Sequence, residues 1–113
     1  MGKVVLAKDE ERVLRRLLER VRTTHWIKGK YHKRVGNKRC YCLVGHVNVL
    51  TGAPPSQGSS VIVSHEDSLR QRVLAHLRRA TRTPDHRDLE AWNDLDGRKR
   101  QDVERMLVGL LSD

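Results

Sequence analysis

The stretch KDEERVLRRLLERVR, from Lys8 to Arg22, decides the class of fold. Val13, Leu14, Leu17, Leu18 and Val21 recur there at the three- and four-residue offsets that place them on one helical face, and Arg12, Arg15, Arg16, Glu19, Arg20 and Arg22 take the rest. Asp9, Glu10 and Glu11 stand in the first turn and Arg20 and Arg22 in the last, as the helix dipole favours. The segment reads as an amphipathic helix that needs a partner surface. Val4 to Leu6 reads as a short extended arm or an extra turn before it.

The same logic carries downstream. Residues 23–39, TTHWIKGKYHKRVGNKR, show no sustained period and are broken by Gly29 and Gly36-Asn37. They read first as a basic loop, with a hairpin turning at Gly36-Asn37 as the competing reading, since Tyr31, Val35 and Tyr41 suit strands. Cys42, Leu43, Val47 and Leu50 space like a second helix ending at Gly52. The run 53–60, APPSQGSS, is a flexible connection. Val61 to Val63 is a short apolar stretch, and Ser64 with Asp67 resembles a capping box opening a third helix through about Ala80, with Leu69, Val73, Leu74 and Leu77 as its stripe. Thr83-Pro84-Asp85 restarts the chain for a short helix to about Trp92. A turn at Asn93 to Gly97 follows, then a last helix with Val103, Met106, Leu107, Leu110 and Leu111 on one face. The expectation is mostly α: a compact single-domain bundle of about four helices over residues 1–113, with a basic loop or short hairpin between the first two.

At 113 residues, with 37% hydrophobic and 33% charged residues and no Phe, the chain has material for one core, built from Leu and Val. No apolar run reaches the roughly 18 residues of a membrane span, the start is too short in apolar residues for a signal peptide, and Leu6 breaks a myristoylation motif. Cys40 and Cys42, one residue apart, suit a reducing compartment better than a disulfide. A cytoplasmic protein without a membrane partner is expected.

Charge is the main functional clue. Residues 1–46 hold 13 Lys/Arg against 4 Asp/Glu, residues 47–69 none against 2, and residues 70–113 10 against 8. The excess peaks at Lys28, Lys30, Lys33, Arg34, Lys38 and Arg39, with no acid between them. Trp26, Tyr31 and His32 are interleaved, so the block is a candidate phosphate tracker with an aromatic to stack on a base. The competing uses of such a block are solubility or docking on an acidic protein surface.

Other constellations are weaker. Cys40, Cys42 and His46, with His25 or His32 as a fourth ligand, could close a zinc site, but Cys-x-Cys is not the usual spacing and Cys42 fits an apolar stripe. Asp85, His86, Asp88, Asp94 and Asp96, or His46-x-Asn48, would be needed for a metal-dependent nuclease, and cap or turn roles explain them more simply. A helix-turn-helix over residues 66–80 and 85–92 would present Asp85, Asp88 and Glu90 to phosphate. No phosphate loop or nucleophile motif is present. The reading is a binding module without a cofactor, not an enzyme.

Trp26, then CLVGHV with Cys42, Leu43 and Gly45, and finally WNDLDGRKRQDVERML with Trp92, Asn93, Asp94, Gly97, Arg98, Asp102 and Val103, resemble a family of short uncharacterised actinobacterial and actinophage proteins. The resemblance covers most of the chain, and its specific part is the Trp-Asn-Asp signature. It implies no known activity. Trp92, Asn93 and Asp94 read as structural, the ring packing on the last helix and the polar pair capping it. Two departures stand out: Lys99 occupies the place of a capping Thr, and the basic stretch replaces a mostly neutral loop. The latter would suit a phage accessory or inhibitor protein that binds an acidic host surface, the alternative to nucleic acid.

Overall fold

The computed structural model describes residues 5–23, 26–54, 56, 68–83 and 86–112. Among them the order is α1 (Lys8–Arg22), β1 (His32–Val35), β2 (Lys38–Tyr41), α2 (Leu43–Leu50), α3 (Ser68–Thr81), α4 (His86–Asp94) and α5 (Arg100–Leu111). The helical expectation holds with five helices in place of about four. The Ser64 capping box, Val61 to Val63 and the Pro84-Asp85 restart lie outside the described residues, as does most of the 53–60 connection.

Helix α1 buries the whole predicted stripe, Val13 to Val21, against α2, α3 and α5. Ala7 at its start has no side-chain oxygen, so Glu10 reaches back to accept from the Ala7 N–H at 3.0 Å. The same carboxylate accepts from Arg72 at 2.8 Å and from His76 Nε2 at 2.8 Å, clamping α1 to α3. Val73, Leu74, Leu77, Leu89, Val103 and Leu107 close one continuous core, and the Cα radius of gyration, 13.0 Å, is that of a compact unit of this length, about 13 Å. At α5, Asp102 accepts from the Lys99 N–H at 2.9 Å, so an acid in the first turn does the capping for which Lys99 has no oxygen.

Two expectations are corrected. The stretch taken first as a loop forms a hairpin, with Val35 opposite Lys38 across the two-residue turn Gly36-Asn37. Gly36 sits at φ 61° and Asn37 is not left-handed, the type II′ arrangement in which glycine takes the first position. The local period was hidden because this ribbon is basic on both faces. The second correction concerns Asn93 and Asp94, which belong to the last turn of α4 rather than to the turn after it.

Candidate nucleic-acid interface

Hairpin register fixes which cations share a face. His32 pairs with Tyr41, Lys33 with Cys40 and Arg34 with Arg39. Side chains alternate along a strand, so His32, Arg34, Arg39 and Tyr41 lie on one face, and Lys33 and Cys40 on the other. Arg34 and Arg39 are therefore directly opposed, both exposed, with no carboxylate paired to either among the described residues. Like charges in that position destabilise a sheet. Lys30 and Lys33 are exposed as well. The backbone of Lys38 occupies a register position opposite Val35, while its side chain lies outside the described residues.

The arginine face runs on into α1. Tyr41 is buried, and the Arg20 guanidinium stands 5.3 Å from its ring centroid while Arg20 Nε donates to His46 Nδ1 at 3.1 Å. Arg12 and Arg16 precede Arg20 at intervals of four residues, a row about 12 Å long on a helix rising 1.5 Å per residue. Arg12 and Arg16 are exposed.

Three of the residues expected in the interface have polar atoms that fasten the hairpin. Trp26 Nε1 donates to Asn93 Oδ1 at 2.6 Å, Lys28 Nζ to the Leu95 carbonyl at 2.8 Å, and the Tyr31 hydroxyl to Glu90 Oε2 at 3.1 Å. Burial and the facing Glu90 carboxylate push the Tyr31 phenol up to about 12, so the hydroxyl stays a donor. Trp26 and Tyr31 are half-buried against the core.

Asn93 is the centre of this fastening. It is fully buried, its oxygen also accepts from the Leu43 N–H at 3.0 Å, and its amide nitrogen donates to the Ile27 carbonyl at 3.1 Å. Asp94 accepts from the Gly29 N–H at 2.8 Å. The pair thus ties α4 to the hairpin base and the α2 N-terminus, where a cap on α5 was expected. Trp92 is half-buried, with Arg98 4.0 Å from its ring centroid. The Cys-x-x-Gly spacing is explained at the same junction: Cys42 Sγ accepts from the Gly45 N–H at 3.4 Å, and a Cβ on Gly45 would stand 2.1 Å from the Tyr31 carbonyl oxygen. Burial raises the Cys42 thiol to about 11.

Among the described residues no three His, Cys, Asp or Glu side chains are grouped to hold an ion. Cys42 caps α2, His46 accepts from Arg20, His32 Nε2 meets Ser56 Oγ at 3.1 Å, and Asp96 is exposed. His25 and Asp85, and the side chains of His86 and Asp88, lie outside the described residues. No helix is long and apolar enough to cross a membrane among the described residues.

Sequence reasoning missed the opposition of Arg34 to Arg39, the junction of that face with Arg20, and the long-range work of Asn93. The Gly36-Asn37 turn was the available signal for the first. The others depend on tertiary placement.

Fold and site together define a small, basic, helical protein that carries a cationic two-stranded ribbon on a hydrogen-bonded base. The chain belongs to a family of unknown function, DUF6197, whose model matches residues 7–109. No curated protein and no solved structure matches it.

Proposed function

We propose that the protein is a non-enzymatic module that binds double-stranded nucleic acid through its phosphates, with the hairpin as the reading element. The observation that carries this is the pair Arg34 and Arg39, opposed across the ribbon with no acid paired to either among the described residues. Such a pair costs stability in the free protein and gains from an anion placed between or along it. A two-stranded ribbon fits the major groove, which has a phosphate wall on each side, and this ribbon has Arg34 and Arg39 on one face and Lys33 on the other. Arg12, Arg16 and Arg20 extend the track along α1. Lys30, and Lys38 by its position, complete it.

Duplex is favoured over single strand because a single-strand binder stacks bases on exposed rings. Among the described residues the exposed large hydrophobic side chains are Val5, Leu95 and Val108, none aromatic. Action in the cytoplasm belongs to the same proposal and rests on the Cys40 and Cys42 spacing, while an actinobacterial or actinophage source and an accessory role in phage biology rest on the resemblance alone.

The test is fluorescence anisotropy with labelled duplex DNA, duplex RNA and single strands across a salt series. Duplex should bind tighter than single strand, with log affinity falling against log salt by about 0.9 for each phosphate engaged on DNA. The double variant Arg34→Glu, Arg39→Glu should lower both affinity and slope. If affinity is unchanged in that variant, the hairpin is not the site. If no nucleic acid binds, and nuclease-treated lysate yields an acidic protein that the variant fails to retain, the acidic-partner reading replaces this one.

A further inference from the structure

A second group of cations lies away from the hairpin, at the end of α3. Arg78, Arg79 and Arg82 line an open cavity of about 520 Å³ with Ala75 and Thr83, and no carboxylate among the described residues lines it. Cations in the last turn of a helix answer its dipole, so their presence alone marks no site. Two further observations single out this one.

Nη1 of Arg78 is shut off from solvent and has no hydrogen-bond partner among the described residues. A charged donor left in that state is costly, and such groups are normally satisfied. Burial and the neighbouring Arg79 charge also depress the Arg78 pKa, as expected of a cation lacking a counterion.

Arg82 lies at φ 59°, the left-handed position just past the helix. Thr83 N–H donates back to the Arg78 carbonyl at 2.9 Å, the turn that usually ends on glycine. An arginine held there against backbone preference puts a third guanidinium on the cavity. A neighbouring cavity of about 480 Å³ shares Arg79 and Arg82 and adds Arg105 with the apolar surface of Trp92, Met106 and Leu110.

We infer that the α3 end is a binding site for a phosphoryl-bearing ligand, its oxygens held by Arg78, Arg79 and Arg82. Guanidinium nitrogens pair with phosphate oxygens, and although Arg78 Nη1 is enclosed and Arg79 Nη2 is engaged by His76 Nδ1, the remaining nitrogens of the three side chains suit a polyphosphate better than a single phosphate. The chemistry is shared by a free polyphosphate or nucleotide and by the 5′-triphosphate of a nucleic-acid strand. The site does not depend on the hairpin reading.

Calorimetric titration with sodium tripolyphosphate near physiological salt tests it, with ATP and a 5′-triphosphorylated oligonucleotide as further arms. Arg82→Gly is the decisive variant, because glycine suits φ 59° and the helix end is kept while the cation goes. Arg78→Gln is the second. Tripolyphosphate should bind the unaltered chain, about tenfold more weakly in either variant, and with unchanged affinity when Arg34 and Arg39 are both glutamate. The Arg78 guanidinium resonances should shift on titration. Comparable binding of ATP assigns the site to free nucleotides or polyphosphate, and binding of the oligonucleotide far above both assigns it to strand ends. No binding of tripolyphosphate, equal binding in Arg82→Gly, or loss only in the hairpin variant overturns the inference.

Discussion

Arg34 and Arg39 face each other directly across a four-residue ribbon whose own sequence contains no acid. Replacing Arg39 by Glu turns that repulsive pair into an attractive one. Cross-strand charge pairs are worth roughly 0.2–1 kcal/mol, so Arg39→Glu should raise folding stability by that order while weakening duplex binding. Chemical denaturation alongside anisotropy checks it. Parallel loss of stability and affinity would show the pair to be structural.

Asn93 satisfies two donors, Trp26 Nε1 and the Leu43 N–H. Each buried donor left without a partner costs about 1–3 kcal/mol, so Asn93→Ala should destabilise by several kcal/mol. Urea unfolding measures the loss. Backbone amide exchange should rise at Leu43 and across the hairpin, and a loss below about 1 kcal/mol would mean the junction is water-bridged instead.

Gly45→Ala forces a methyl to within 2.1 Å of the Tyr31 carbonyl oxygen unless backbone moves. Overpacking of this kind typically costs about 1–3 kcal/mol. The contact joins α2 to the segment leading into β1, so the loss should be accompanied by changed amide shifts from Tyr31 to Tyr41. Gly109→Ala, where a Cβ meets nothing within 4 Å, is the control and should be neutral or slightly stabilising.

Burial works against ionisation of Glu10, but the Ala7 N–H, His76 and Arg72 outweigh it and hold its carboxyl below the ordinary 4.5. A carboxyl lowered in the folded state adds stability above its unfolded value, and that stability is lost as pH falls through the folded one. The melting temperature should therefore drop as pH is taken below about 4.5. In Glu10→Gln the drop should be shallower, from a lower starting stability at neutral pH. An unaltered acid limb in that variant would place the transition elsewhere.

Much of this fold is legible in the residues. The stripe Val13 to Val21 specifies α1 because its period is regular and its charges are sorted by end, and the stripes of α3 and α5 are read the same way. The hairpin is harder, since a ribbon with cations on both faces lacks the apolar alternation by which strands are recognised, leaving Gly36-Asn37 and the strand-favouring Tyr31, Val35 and Tyr41 as cues. The candidate site divides similarly. Lys30, Lys33, Arg34 and Arg39 are recognisable from composition and are exposed, whereas Trp26, Lys28 and Tyr31 carry the same sequence signal but have their polar atoms committed to Asn93, Leu95 and Glu90. Which of these fates a side chain meets depends on partners 59 to 67 residues away, beyond the reach of any local pattern.

That distance also bears on synthesis. The ribosome delivers residues 26–45 well before residue 93, so the basic ribbon emerges without the amide that will hold Trp26, Ile27 and Leu43 together. Until α4 follows, Trp26 and the Leu43 amide lack their native partner, and the nascent chain offers its cations on an unanchored segment. A presented, correctly spaced ribbon is thus a late product of translation, and a chain cut short before Asn93 would carry the charge without the shape.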